Sequence, residues 1–477
     1  MENKNSRFLT ENFREERYAK ENEIVLRGEK MTVRAETEDC IFRDEDGNPE
    51  ASVYVQSWLR TGVPDRDRPV MFCWNGGPGS ASSTLQLECF GPYTMPKKNG
   101  AFLPEAVLDE QCIIDCTDIV YLDQVGVGCS RLVKQEMAEK YYSVDGDARC
   151  FAFAIMKWLK EHGRLFSPVY LCGESYGTIR ACRVLAELGR SPYSESRMVP
   201  GLPPAGVILV GNCTSMNPEH PENSLCPGLE LTAAMMPAMA ATNCHHHPEG
   251  KPSEREFADE AWNFVGKEML PAWFAGNGID PAEKERLAGK LALYTGVEQG
   301  YWLSHDLKLG LAEDFMLRVA ADRGCRVDLY DSRKLIPLDG SYNAIGSGEN
   351  IPLKVMNGLI SRLQGRESGR MYYTGNLGCY PLWKWKTEDL GPLTKTHIQC
   401  LKSYLEENGS ARVLFASGLY DLCTHVGNTR YQLSHAGLPM ERVISKEYTG
   451  GHGVYSSQEG KTAFLSDVRE MVSGNRK

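Results

Sequence analysis

The sequence lacks any apolar run long enough to cross a bilayer. Its best stretch, LELTAAMMPAMAATNC at 229–244, falls short of the roughly 18–20 residues required and carries polar residues. It also lacks a signal-like opening. MENKNSRFLTENFREERYAKENEIVLRGEK is charged throughout and holds no apolar h-region, so a cytoplasmic location is expected. Positive charge is in deficit: 53 Lys and Arg against 63 Asp and Glu leave a net charge of −10. The basic residues are scattered, which argues against a nucleic-acid partner or an anionic membrane surface. There is no internal repeat and no low-complexity tract. Cysteine is plentiful, at 16 residues. The cysteines sit mostly in apolar stretches such as VMFCW, VYLCG and ILVGNC, and read as buried thiols in a reducing compartment. Cys112 and Cys116 read the same way rather than as a redox pair. The run Cys244-His245-His246-His247 is not expected to hold a metal, because adjacent side chains rarely converge on one ion. No metal and no other cofactor is implied.

What is present is an ordinary globular composition, 42% hydrophobic and 24% charged over 477 residues. A chain of that size buries enough apolar surface to need no covalent staples. Residues 23–60 alternate as strands. RPVMFCW (68–74), CTDIVYLD (116–123), SPVYLC (167–172), AGVILVGN (205–212), ARVLFASG (411–418) and RVISKEYTG (442–450) read as short buried strands. DGDARCFAFAIMKWLKEHG, TIRACRVLAELG and KTHIQCLKSYLEENG read as helices between them. That alternation predicts an α/β fold with a mostly parallel sheet covered by helices. Strand signals fade from about 215 to 345. Three helical stretches stand there, EREFADEAWNFVGKEMLPAWFA, PAEKERLAGKLALYTG and DLKLGLAEDFMLRVAADRG. The expected organisation is an α/β core over 1–214 and 346–477, with a helical lid inserted at 215–345.

The chemistry centres on Gly173-Glu174-Ser175-Tyr176-Gly177. A strand precedes it and a helix follows, which is the context of a nucleophile elbow. The two glycines permit the tight turn that lifts the Ser175 hydroxyl clear of the sheet. Such a serine needs a base and an orienting acid, in the chain order Ser, Asp, His for an α/β hydrolase. Of the ten histidines, four follow position 390. His397 and His435 fall in helical contexts. His452, in the glycine loop YTGGHG after a strand, is the expected base, with His425 the rival. Asp421, just past the strand 411–418, is the expected acid. Backbone N–H groups of Gly77, in WNGGPG after another strand, and of Tyr176 are expected to form the oxyanion hole.

These motifs together resemble the serine carboxypeptidases of the S10 type, and most the bacterial branch. EASVYVQSW with WNGGPGSASS, YLDQVGVGCSR, GESYGTIRA, GLYDLCT and YTGGHGVY match in order along nearly the whole chain. MPAMAAT, YDSRK and SYNAIG match the insertion and its exit. The resemblance implies an α/β-hydrolase fold with an inserted helical lid, and places the catalytic residues on the same Ser175, Asp421 and His452. It implies that Asn75, Gly76 and Glu174 hold the free C-terminal carboxylate of a peptide. Glu174 would share a proton with that carboxylate, since two ionised carboxylates repel at hydrogen-bond distance. Activity on the acidic side of neutrality follows. The chain departs from the family at Cys89, where members often carry a glutamate, with Glu88 one step away. It also lacks a proline in Asp123-Gln124-Val125. An esterase or acyltransferase on the same triad, and a silent binding protein on a hydrolase fold, are the competing functions.

Overall fold

The computed structural model describes residues 13–64, 66–95, 97–98, 101–102, 105–189, 201–215, 229–341, 353–366, 369–387 and 396–474. Nine strands carry the central sheet: β1 (Arg17–Leu26), β2 (Glu29–Arg43), β3 (Pro49–Arg60), β4 (Val70–Trp74), β5 (Asp118–Asp123), β6 (Val169–Glu174), β7 (Gly206–Val210), β8 (Arg412–Gly418) and β9 (Val443–Tyr448). A two-residue strand, Arg131–Leu132, adds to β3. The order is β1-β2-β3-β5-β4-β6-β7-β8-β9. The pairs from β1 to β5 are antiparallel, and every pair from β5 to β9 is parallel.

The parallel strands are short and apolar because both of their faces are covered. On β4, Val70, Phe72 and Trp74 enter one core while Met71 and Cys73 enter the other. On β6, Val169 and Leu171 side with the first, and Tyr170 and Cys172 with the second. The first face is covered by α1 (Val144–Glu161), α2 (Tyr176–Gly189) and a helix at His397–Glu407. Helices Leu353–Gln364 and Gln458–Gly474 cover the other. The sequence reading had not singled out these last two.

The helical region begins at α3 (Leu229–His246) and continues through α4 (Glu254–Phe264) and α5 (Pro281–Thr295). The apolar stretch 229–244 is thus a helix of the protein interior, buried continuously from Ala234 to Cys244. Met235, Met236, Ala238, Met239 and Ala240 are fully buried. No helix among the described residues is long and apolar enough to cross a membrane. The 254–275 stretch, read as one helical segment, is helical throughout, with one change of winding. α4 passes through a π-helical turn, Val265–Met269, into Leu270–Ala275. Pro271 cannot donate to the helical ladder, which favours such a widened turn. Within 306–324 the α-helix shrinks to Ala312–Arg318, after left-handed backbone at Asp306 and Leu307. The core of this region includes Leu422 and Val426, so it packs directly on the loop that carries Asp421. The expected boundary at 345 lies outside the described residues, as does all of SYNAIG but Ser341.

The fifteen described cysteines are free thiols, most of them buried. Burial pushes Cys40 and Cys423 up to about 12, and Cys116 and Cys379 up to about 11. A thiol reagent at pH 8 should therefore react slowly with native protein and reach most of the 16 cysteines once denaturant is added. Fewer than half titrating in denaturant would overturn the reading of a reduced, cytoplasmic chain.

Candidate active site

The parallel strands end along one edge of the sheet, the side on which open α/β sheets bind ligands. Trp74 of β4, Gly173 of β6, Leu209 of β7, Phe415 of β8 and Ser445 of β9 lie in one row. Every residue expected in the site emerges just beyond that row.

Ser175 bridges β6 and α2 with φ of 59°, a left-handed conformation that costs a serine on the order of 1–3 kcal/mol. The turn closes because its flanks are glycine. A Cβ on Gly173 would sit 2.0 Å from the Gly177 carbonyl oxygen, and one on Gly177 would sit 2.9 Å from the Trp74 ring. The Trp74 indole N–H donates to the Gly177 carbonyl at 2.9 Å, tying β4 to the elbow.

The loop after β4 lies against that elbow. A Cβ on Gly76 would approach the Tyr176 nitrogen to 2.5 Å, so Gly76 is confined to glycine and the two proposed donor segments touch. The Gly76 carbonyl accepts from the Ser80 N–H at 3.2 Å. A trans peptide points its C=O and N–H in opposite directions, so that bond also fixes the Gly77 N–H.

Asp421 is fully buried in the turn after β8. Its Oδ1 accepts from the backbone N–H groups of Cys423 (2.7 Å) and Thr424 (2.9 Å). Its Oδ2 accepts from the Thr424 hydroxyl and from His452 Nδ1, the latter at 2.9 Å. The His452 loop is held in turn by Tyr330, whose carbonyl accepts the His452 N–H at 2.6 Å. The link from His452 to Ser175 runs through the end of β7. The Val210 carbonyl accepts the Ser175 N–H at 2.8 Å, and the next residue, Gly211, lies against the imidazole. Cys213, two residues further on, turns its thiol back to the Gly211 carbonyl at 3.7 Å. His425 begins the helix Val426–His435, its Nε2 buried without a partner among the described residues. Burial lowers its pKa, and neither Asp421 oxygen is bonded to it.

Beside the serine lies a second polar cluster. Glu174 is buried; its Oε1 accepts from Asn75 Nδ2 at 2.7 Å and its Oε2 from the Tyr455 hydroxyl at 2.5 Å. Asn75 is oriented by the Leu85 N–H, which donates to its Oδ1 at 3.2 Å. Burial raises the Glu174 pKa; the nearby His452 charge, Tyr455 and Asn75 oppose it, and the Glu88 carboxylate adds to it. Burial opposes a charge on His452, yet Asp421 and then Glu174 outweigh it and push the imidazole up to about 9.

Tyr455 and Glu88 were not assigned a role from the sequence. Tyr455 lies three residues past His452 with no pattern of its own to mark it. Glu88 acts on the cluster through its charge, from a π-helical turn, Leu85–Phe90, closed by the Gly91 N–H on the Gln86 carbonyl at 3.0 Å. Such a turn takes one residue more than an α-turn. The histidines of 245–247 diverge. His245 bonds Glu254, His246 the Ser332 carbonyl and His247 the Val319 carbonyl, each at 2.8 Å.

Residues 58–212 match the family model described as serine carboxypeptidase, the Peptidase S10 family. That span holds the Trp74–Gly79 loop, Glu174 and Ser175, while Asp421 and His452 lie beyond it. No curated protein matches the chain. Among solved structures, Kex1Δp, a prohormone-processing carboxypeptidase from Saccharomyces cerevisiae, is similar at a TM-score of 0.57, with 12% identity over 92% of each chain. A putative aryl esterase from Burkholderia cenocepacia matches at a TM-score of 0.33, with 14% identity over 92% of this chain and 98% of that one. A monoglyceride lipase variant from S. cerevisiae matches at 0.36, with 12% identity over 92% and 95%. The chain has the α/β-hydrolase fold.

Proposed function

We propose that this protein is a serine-type carboxypeptidase that releases C-terminal residues from peptides through an acyl-enzyme on Ser175. The observation that carries the reading is the buried Asn75–Glu174–Tyr455 cluster directly beside the serine, a receptor for one carboxylate. The serine carboxypeptidase match over residues 58–212 supports a peptide substrate.

In this mechanism Ser175 Oγ attacks the scissile carbonyl while His452 Nε2 takes its proton. Asp421 accepts the Nδ1–H, which fixes the tautomer and stabilises the imidazolium. The oxyanion forms against the Gly77 and Tyr176 N–H groups. The imidazolium then gives its proton to the departing amine, and the C–N bond breaks. Water, deprotonated by the same imidazole, attacks the acyl-enzyme; the proton returns to Ser175 and the shortened peptide leaves. Asn75, Gly76 and Glu174 hold the terminal carboxylate so that only the last peptide bond reaches Ser175. Glu88 reinforces a proton on Glu174, the part its displaced position in sequence had left open.

The productive state needs Glu174 protonated and His452 neutral. The competing state moves the same proton from Glu174 to His452, so the two limbs of a pH profile belong to the pair rather than to either residue. A raised Glu174 pKa keeps the acid form to higher pH, and carboxylate binding is lost as pH rises through it. A raised His452 pKa keeps the imidazolium to higher pH, and turnover is lost as pH falls through it. Because the Glu174 charge helps raise His452, Glu174→Gln should do two things. It should remove the alkaline rise in KM for free-carboxylate peptides, otherwise up to about tenfold per pH unit for one proton. It should also move the acid limb to lower pH. The nearness of Glu174 to His452 is what couples the acid limb to this substitution.

The test is hydrolysis of a blocked dipeptide and of its C-terminal amide across pH 5 to pH 9, by wild type and Glu174→Gln. The carboxypeptidase reading expects an alkaline loss for the acid only. Identical profiles for acid and amide, unchanged by the substitution, would give the lead to an esterase on the same triad.

A further inference from the structure

Arg180 lies on α2, five residues past Ser175, and is 1% exposed. All of its nitrogens are committed. Nε donates to Asp147 Oδ2 at 2.6 Å, Nη1 to the Asn75 carbonyl at 2.6 Å and Nη2 to Gln124 Oε1 at 2.8 Å. The same Gln124 oxygen accepts the Gly79 N–H at 3.1 Å. The guanidinium carbon sits 4.4 Å from the Phe151 ring centre and 5.1 Å from that of Tyr176.

A dry helix face does not by itself call for an arginine. Removing the two ions from water costs several kcal/mol each, which one carboxylate partner offsets only with good geometry and further hydrogen bonds. Asp147 supplies the charge. Of the other two donors, Nη1 bonds the loop directly at the Asn75 carbonyl, and Nη2 reaches Gly79 only through the Gln124 oxygen that both share, so the two constraints fall on either side of Gly77. With the Gly76 carbonyl held by Ser80, the peptides flanking the Gly77 N–H are pinned. The group that pins the Asn75 carbonyl belongs to the helix that Tyr176 begins.

We infer that Arg180 is a positioning residue for the oxyanion hole. It locks the loop bearing the Gly77 N–H to the helix bearing the Tyr176 N–H. Asp147 fixes the guanidinium, and Gln124 relays the constraint to Gly79. The inference rests on acyl transfer at Ser175 but not on recognition of a carboxylate, since any tetrahedral intermediate on that serine uses the same hole. Losing an oxyanion donor outright costs about 10²- to 10³-fold in kcat. Loosening both donors should cost less, about 10- to 100-fold.

The experiment measures Arg180→Lys, Arg180→Met and Gln124→Leu with a blocked dipeptide and with p-nitrophenyl acetate. Rates are normalised to active sites titrated to completion with a fluorophosphonate. The expected result is a loss of kcat per site on both substrates, with KM for the dipeptide nearly unchanged. Affinity for a peptide aldehyde, whose serine adduct bears the oxyanion, should fall in step with kcat/KM. Affinity for a released amino acid should not. Lysine keeps the charge without the three-way fork and should recover little.

Wild-type kcat per titrated site, with only thermal stability reduced, would make Arg180 a packing residue and overturn the inference. So would a fall in kcat that leaves aldehyde affinity intact. If the Arg180 variants do not fold, Gln124→Leu decides the matter, because it leaves the Arg180–Asp147 pair in place. Wild type that cleaves the ester but not the peptide would sink the carboxypeptidase reading while the ester arm still judges Arg180. Wild type inert to both substrates and to the fluorophosphonate would sink the Ser175 reading, and this inference with it.

Discussion

Ser175→Ala is expected to lower turnover of a blocked dipeptide by on the order of 10⁴- to 10⁶-fold, leaving only what binding and the oxyanion hole contribute. The elbow should survive the change. Alanine meets the same left-handed backbone that serine already tolerates at φ of 59°, so far-UV circular dichroism and Tm should stay close to wild type. Ser175→Gly separates strain from chemistry. It should be equally inactive yet more stable, by about 1 kcal/mol, because glycine adopts that φ freely. An alanine variant keeping a tenth of wild-type turnover would show that Ser175 is not the nucleophile.

His452→Ala should cost about as much as the serine change, and the double variant little more than either, because a nucleophile and its base act as one unit. Two features single out His452. Its Nδ1 bonds a fully buried carboxylate at 2.9 Å, and its ring lies against Gly211, which follows the residue that holds the Ser175 N–H. His425 shares the loop with Asp421 but bonds neither of its oxygens, so His425→Ala should stay within a few-fold of wild type. Kinetics for both variants at several pH values decide between them. The reverse ranking would move the base to His425 and leave the His452–Asp421 bond a structural one.

Much of this site could be read from the chain because each motif is local. A strand, a Gly-x-Ser-x-Gly turn and a helix occupy consecutive residues, and the steric demand for glycine at 173 and 177 acts within that turn. The loop at 75–79 and the turn at Asp421 likewise follow directly on apolar strands. Short parallel strands betray themselves as apolar runs because both faces are covered, so β4 to β9 could be placed to within a few residues.

What the sequence by itself determined is the set of chemically competent residues: a serine in an elbow, acids after strands, and a histidine in a glycine loop. It could not choose His452 over His425 by contact, because both stand within reach of Asp421 along the chain and only the fold sets which ring meets the carboxylate. It could not show that β5 enters between β3 and β4, since strand order is a long-range property. Tertiary structure alone brought Tyr455 to Glu174, brought the Glu88 charge to bear on the same cluster, and aimed Arg180 at the loop 75–79. The Arg180–Asn75 and Tyr455–Glu174 bonds join residues 105 and 281 positions apart. Periodicity and turn chemistry report only on neighbours along the chain, whereas a buried polar group is assigned its partner by the packing that encloses it.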